Sequence, residues 1–443
     1  MDIEDHLFRH EAGRMISALT RIFGAHNLAL AEDVVQDAFR RALEVWPMRG
    51  VPDNPSAWLM TTARNRALDI LRRQRTANTF APELGRLLES EWTVAPVVDE
   101  VLAAGAIQDS MLRMMFSCCH PHLSEPAQVA LILNILCGFS IDEIANASLS
   151  GYAAIEKRIV RGKKVLAESK RLFDTGVPAD FSDRLPAVQR ALYLLFNEGY
   201  HGTSPERSVR SELCNEAIRL TAVLLQHPLG KTPATYALAA LMTLTAARLP
   251  ARTDSSGNLI ALSNQDRALW DRKRLIEGTR LLELSASGNE VAAYHIEAAI
   301  ASAHAMAQRV EDTDWSKIIS LYDALMGINP SPIVALSRAI AISQRDGPER
   351  GLEAIDAISN PERLAGYPFY PATLGELELR RDNRKRAREH FQMALARARN
   401  ATERLFFEQR LAACDVASPR PATTAAFWEP HLAPIPAADS DED

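Results

Sequence analysis

The segment NPSAWLMTTARNRALDILRRQR, Asn54 to Arg75, carries apolar residues at spacings of three and four. Leu59, Ala63, Ala67 and Ile70 or Leu71 fall on one side, which predicts an amphipathic helix. Ser56 reads as its N-cap, after a turn marked by Asn54-Pro55. Between Thr61 and Arg75, the residues Arg64, Arg66, Arg72, Arg73 and Arg75 face one acid, Asp69, a local net charge of about +4 suited to following a phosphate backbone. Trp58, Thr61, Thr62 and Asn65 add stacking and hydrogen-bonding groups suited to unstacked bases. The same pattern also describes a solvated, Arg-rich surface helix with Trp58 turned into the core.

The three-and-four periodicity recurs along nearly all of the 443 residues, and β-branched alternation is scarce, so the fold class is all-α. A chain this long predicts two to four domains. Apolar residues at 47% and charged residues at 24% describe a globular protein, and no apolar run is long enough to span a bilayer, so no membrane partner is expected. The acidic, polar start MDIEDHLFRHEAGR is not that of a signal peptide. Five cysteines without framework spacing suit a reducing cytoplasm. A net charge of -6 argues against a uniformly basic coat but leaves room for local basic faces.

Composition divides the chain into residues 1–78, an acidic irregular linker at 79–107, helical residues 108–172, a long Ala/Leu-rich helical series at 180–415, and a Pro/Ala-rich tail at 416–443 expected to be disordered. Ahead of the first basic helix, AEDVVQDAFRRALEVW places Val34 or Val35, Ala38, Ala42 and Val45 on one face. Asp33, Gln36, Asp37 and Arg40 form a polar stripe that taken alone is an ordinary solvated face. Further on, Ser140-Ile141-Asp142-Glu143 is a capping box, and Phe139 with Ile144 is its hydrophobic staple. A short helix, a turn at LSG and the helix YAAIEKRIVRGKKVLAESKR then predict a helix-turn-helix. Ile155, Ile159, Gly162 and Leu166 are expected inward. Tyr152, Ala153, Glu156 and Lys157 are candidates for base edges, with Arg161 and Lys164 for phosphate and Arg158 a further DNA-binding cation on the same helix. A helical hairpin with a basic face by chance is the plainer alternative.

FSCCHPH, Phe116 to His122, is the stretch most like a metal site, but adjacent cysteines point about 100° apart on a helix and no second cysteine pair follows. It reads as a helix end turning into QVALILNILCGFS, with buried free thiols and no metal. His201 and Glu198, in NEGYHGTSPERS, read as structural or solvated. No Gly-rich phosphate loop, HExxH or nucleophile elbow occurs, so neither a catalytic residue nor a cofactor is expected.

Together, AEDVVQDAFRRALE, VPDNPSAWLMTTARNRALDILRR and the helices at 140–171 resemble a bacterial RNA polymerase sigma factor of the extracytoplasmic-function type. The resemblance covers residues 9–172. It implies that Asp33, Gln36, Asp37 and Arg40 meet the β′ clamp of core RNA polymerase, with the β flap a further contact. It implies that Trp58, Thr61, Thr62, Arg64, Asn65, Arg66, Asp69, Arg72 and Arg73 engage the minus-ten element. By the same resemblance the second basic helix reads the minus-thirty-five element of promoter DNA. LYLLFNEGY, LCNEAIRL, NQDRALWDR and YHIEAAIASAHA resemble the tetratricopeptide-like C-terminal extension of one subgroup, which implies control without a separate anti-sigma protein and a further protein or ligand at the extension. Within the long series, Asn329-Pro330 and Asn360-Pro361 are expected to close two helices, and RAREHFQMALARARN has the spacing of a tetratricopeptide second helix. Gly151 stands where relatives commonly have Pro, so promoter sequence does not transfer from them. The competing function is a helix-turn-helix activator with a helical sensor domain, outside the holoenzyme.

Overall fold

A computed structural model of the chain describes residues 2–76, 104–147, 151–168, 178–201, 209–255 and 258–415. The described elements are helices; Thr253 and Leu259 form an isolated antiparallel bridge, and no strand occurs among the described residues. The fold is all-α, as the periodicity predicts. Most of the expected linker, 79–107, and all but the last letter of the LSG turn lie outside the described residues, as does the tail from 416. Packing divides the chain into Met1–Ala191 and Leu192–Asp443.

The first unit holds α1 (Asp2–Phe23), α2 (Leu28–Arg49), α3 (Pro55–Thr76), α4 (Ala104–Cys118), α5 (Glu125–Leu131), α6 (Ile141–Ala147) and α7 (Tyr152–Glu168). In α3 the predicted Leu59, Ala63 and Ala67 are fully buried, joined by Leu68. Its N-cap is Asn54 rather than Ser56: Asn54 Oδ1 accepts from the Ala57 amide at 3.0 Å, which puts Pro55 at the first helical position, where it lacks no needed donor. Ser56 Oγ instead donates to Glu11 Oε1 at 3.1 Å. In α2 the inner face is Val34, Val35, Ala38 and Ala42, but Trp46 completes it in place of Val45. Trp46 fills that corner because Phe8, Phe39, Trp46 and Trp58 pack as one aromatic group, with centroids 4.7 to 5.7 Å apart.

The capping box forms as expected, with Ser140 N donating to Glu143 Oε2 at 2.8 Å and Glu143 N to Ser140 Oγ at 3.2 Å. Phe139 and Ile144 are both buried. The apolar segment before it is α5 followed by a π-helical turn, Ile132–Leu136, closed by Cys137 N donating to Ile132 O at 3.3 Å. That turn lies against α1. A Cβ at Gly13 would come within 2.0 Å of the Leu136 carbonyl oxygen, so only hydrogen fits between the two backbones. Residues 1–78 and 108–172 therefore share one unit instead of two separate domains, because α1 packs on α2 and α3 and also on α4 and the π turn.

The boundary between the units falls within α8 (Pro178–His201). In the second unit, α9 (Ser211–Gln226), α10 (Pro233–Ala246), α12 (Arg272–Ser285) and α13 (Ala293–Met306) are grouped around α10, with the short α11 (Leu249–Arg252) following it. From Thr235 to Ala246, α10 is buried except at Tyr236, as suits an Ala/Leu-rich helix with no charged residue. Then α13, α14 (Trp315–Ile328), α15 (Pro332–Asp346), α16 (Pro348–Asp356), α17 (Phe369–Arg380), α18 (Arg384–Ala396) and α19 (Ala401–Ala413) each pack on the next. Their cores are successive: Ile300, Ile318 and Leu325, then Leu336, Ile355 and Leu377 together with Ala251, Leu262 and Trp270 from ahead of α12, then Phe369, Ala394 and Phe407. Such an arrangement is stabilised by nearest neighbours rather than by one central core. Asn329 caps α14 as expected, whereas Asn360 falls after the end of α16 and opens a short 3-10 turn in left-handed conformation.

Glycine position decides the sign of substitution in these helices. Gly13→Ala should lower the denaturation midpoint, at a cost of about 1–3 kcal/mol from overpacking against backbone. Gly327→Ala, in α14 with nothing within 4 Å of its Cβ position, should raise stability by about 0.5–1 kcal/mol. Urea unfolding of the two variants checks the pair.

Candidate functional site

On α2, Asp33, Gln36 and Arg40 are exposed along one stripe. Asp37 is half-buried between two cations, with Arg40 Nη2 at 3.0 Å and Arg66 Nε at 2.8 Å. It thus ties α2 to α3 as well as lying beside the stripe. Leu43 follows Arg40 by three residues and is 53% exposed, so an aliphatic group continues the polar row. Sequence reading missed it, although the i, i+3 spacing from Arg40 was the available signal. Beyond Leu43 the exposed Met48 and Val51 lead toward α3.

Along α3, Thr61, Asn65, Asp69 and Arg73 belong to the candidate set, with Thr61, Asn65 and Asp69 exposed and Thr62, Arg64 and Arg66 flanking them. The Thr61 and Thr62 hydroxyls donate to Ala57 O and Trp58 O at 2.8 and 2.9 Å, leaving their oxygens able to accept. Arg64 Nη1 donates to Asn65 Oδ1 at 3.2 Å. Trp58 is half-buried, its ring set edge-on to Trp46, so one part of the indole belongs to the core and another to the surface. The side chain of Arg72 lies outside the described residues.

The predicted inner face of α7 is buried at Ile155, Ile159, Gly162 and Leu166. Tyr152, Ala153, Glu156, Lys157, Arg161 and Lys164 are exposed, and Arg158 is half-buried. Val160, 64% exposed, shares their face and offers an apolar contact of the kind a thymine methyl accepts; it too went unnoticed in the sequence. Gly151 precedes α7, and its carbonyl accepts from Ala154 N and Ile155 N, so it is the N-cap. Lys163 is turned away from the exposed row, its Nζ 2.7 Å from Glu32 Oε1 on α2. The candidate residues thus gather on two faces of the first unit, one on α2 and α3 and one on α7.

FSCCHPH ends α4 at Cys118, and both adjacent thiols are buried. Burial pushes the Cys118 thiol well up, helped by the neighbouring Cys119 and Cys137, and raises Cys119 to about 12. Burial lowers His120, with Arg184 and His122 adding to it. In the second unit Glu198 and His201 are buried, Glu198 held by Arg210 Nη2 at 2.6 Å and His201 Nδ1 3.0 Å from Arg252 Nη2, as a structural role requires. A groove of about 570 Å³ opens among α9, α10 and α12, with Ile218, Leu225, Ala239 and Leu281 among its lining residues. Among the described residues, no helix is long and apolar enough to cross a membrane.

Residues 7–77 match sigma-70 region 2, and residues 184–286 match a family of unknown function, DUF6596. No solved structure matches the chain. The sigma-70 region 2 match over α1–α3 supports a sigma-factor role, the binding of RNA polymerase and the recognition of promoters. The chain belongs to the family of an uncharacterized protein of Rhizobium meliloti, to which it is 39% identical over 412 residues, 93% of this chain and 95% of the relative.

The thiols yield a direct check. At pH 8 the native chain should react slowly with a thiol-disulfide reagent and release all five cysteines rapidly in urea; a fast thiol in the native state would contradict their burial. Because Cys119 is raised in the folded state, its contribution to stability is complete below its ordinary value near 9 and is lost as pH rises through about 12. The urea midpoint should therefore fall above pH 9.

Proposed function

We propose that the chain is an extracytoplasmic-function type sigma factor that reads two promoter elements and melts the DNA between them and the start site. The observation that carries this reading is the sigma-70 region 2 match, since its span, 7–77, contains both the α2 stripe and the Arg-rich α3. On this reading Asp33, Gln36 and Arg40 dock on the polymerase β′ clamp, with Leu43 as an aliphatic contact inside a charged rim. Trp58, Thr61, Thr62 and Asn65 capture unstacked minus-ten bases, while Arg64, Arg66, Arg72 and Arg73 hold phosphate and Asp69 limits the charge. Helices α6 and α7 act as a helix-turn-helix, with Tyr152, Ala153, Glu156 and Lys157 at minus-thirty-five base edges and Arg158, Arg161 and Lys164 along the backbone. The work is binding: extruded bases cost a few kcal/mol each and are held by several stacking and hydrogen-bonding contacts.

The second unit, in this reading, is a tetratricopeptide-like regulator carried on the same chain in place of a separate anti-sigma protein. The successive packing of α13 to α19 supports it. Promoter output from a chain ended after Asp174 should differ from that of the full chain, and equal output would remove the regulatory role.

Run-off transcription with purified core polymerase separates this reading from an activator outside the holoenzyme. The full chain should start transcription from its promoter with core alone; failure to bind core would overturn the proposal. Asp33→Lys combined with Gln36→Ala should weaken core binding at least about tenfold with the helical circular dichroism unchanged. Arg161→Ala and Lys164→Ala should each reduce the salt slope of duplex binding by about 0.9.

A further inference from the structure

We infer that the second unit holds a buried binding site for a small carboxylic acid, built around the Arg248 guanidinium between the rings of Tyr200 and Trp270. Its use as a signal rests on the regulatory reading proposed above, whereas the site itself rests on packing within the second unit. Arg248 is buried, with its Cζ 5.8 Å from the Tyr200 ring centroid and 6.0 Å from that of Trp270. Arg252, also buried, lies over the Tyr200 ring at 3.9 Å. Its Nε donates to Tyr200 O at 3.1 Å, which fixes the phenol from the backbone side. Two guanidiniums and two rings, from α8, from the junction of α10 with α11 and from the residues just ahead of α12, thus meet in the interior.

The polar atoms of this cluster single it out. The Tyr200 hydroxyl, Trp270 Nε1, the Thr245 hydroxyl and both amide atoms of Asn197 have no hydrogen-bond partner among the described residues. All four residues are at most 4% exposed. Native interiors leave few such groups, because each bears its full desolvation cost. These are grouped rather than scattered. Asn197 lies one turn before Tyr200 on α8, and Thr245 one turn before Arg248, whose amide donates to Thr245 O. Indole N–H, phenol, hydroxyl and carboxamide all donate, and beside a guanidinium they complement an oxyanion. Asn197 adds an acceptor, so an acid bearing a hydroxyl satisfies both of its amide atoms. Charge sets the class of anion. Glu198 is paired with Arg210 at 2.6 Å, and of the remaining buried charges Arg248 and Arg252 stand against Glu297 of α13, an excess of one cation. One carboxylate balances that excess, whereas a phosphate approaching two negative charges exceeds it. Arg267, 4.8 Å from the Trp270 ring, is only half-buried and gives its Nη1 to the carbonyls of His304 and Ala307. Enclosure by so many buried groups makes the ligand small.

Thermal unfolding of the dialysed full chain tests the site, with acetate, lactate, benzoate and succinate compared with chloride and inorganic phosphate at equal ionic strength. At least one carboxylate should raise the midpoint saturably, by about 2 °C or more, and chloride and phosphate should not. Tyr200→Phe and Thr245→Val each delete one buried hydroxyl at nearly constant shape. Without carboxylate both variants should melt at or above the wild-type temperature, since each has lost an unpaired polar group. The double variant should lose the carboxylate-dependent rise. No rise with any of the four carboxylates, an equal rise with phosphate or chloride, or a rise that persists in the double variant would each overturn the site. So would variants that melt lower by the same amount with and without carboxylate, which is the mark of hydroxyls that serve the fold through bound water. Run-off transcription by the full chain separates the signalling use from the site. A carboxylate that binds should change output about fivefold or more, and unchanged output removes the regulatory reading while the binding site stands.

Discussion

The backbone of α1 at Gly13 meets the carbonyl of Leu136 with no side chain between them, and the arrangement of the first unit depends on that approach. Leu136 is the last residue of the π turn, so its carbonyl oxygen lies at the end of that segment, where α1 meets it. Because α1 is buried along its second half, it acts as a shared core for α2–α3 on one flank and α4 with the π turn on the other. Two sequence-distant basic helices thereby become parts of one body.

Charge is distributed to suit. The chain is acidic overall, yet α3 and α7 each hold an excess of cations, and part of that excess is used internally. Arg66 binds Asp37, and Lys163 binds Glu32, so both internal pairs end on α2. Both are partly exposed, and pairs of that kind contribute little to stability and are weakened by salt. They orient helices rather than cement them. What remains outward is a row of side chains on each helix with aliphatic members, Leu43 on α2 and Val160 on α7, set among the polar ones. Desolvated aliphatic contact inside a polar rim is how most specific interfaces are built.

The second unit follows a different rule. Its cores succeed one another along α13–α19, the middle one also taking in Ala251, Leu262 and Trp270 from ahead of α12, so no single centre serves all the helices. The DUF6596 match covers the opposite end, where α10 is buried nearly all round and Glu198–Arg210 and His201–Arg252 are buried polar contacts. The buried Glu198 carboxylate is paired there, as the cost of leaving a charge alone demands.

Much of this was legible in the residues. Apolar spacing of three and four specified the helices, the Ser140–Glu143 box the start of α6, and Ile155, Ile159, Gly162 and Leu166 the inner face of α7, because these features depend on neighbours a few positions away. FSCCHPH resolved into a helix end for the same reason: adjacent cysteines on a helix diverge. Local rules failed where two choices were nearly equal. Asn54 and Ser56 are both good caps, and Pro55 decided for the former by suiting the first helical position. Trp46 displaced Val45 because an aromatic group from three helices needed its ring. The sequence by itself determined which segments are helical, where positive charge collects and which family the chain resembles. Only the tertiary structure decided that Lys163 and Asp37 turn toward internal partners and that Gly13 is a close-contact site, since those facts depend on backbones separated by tens to more than a hundred residues meeting in space.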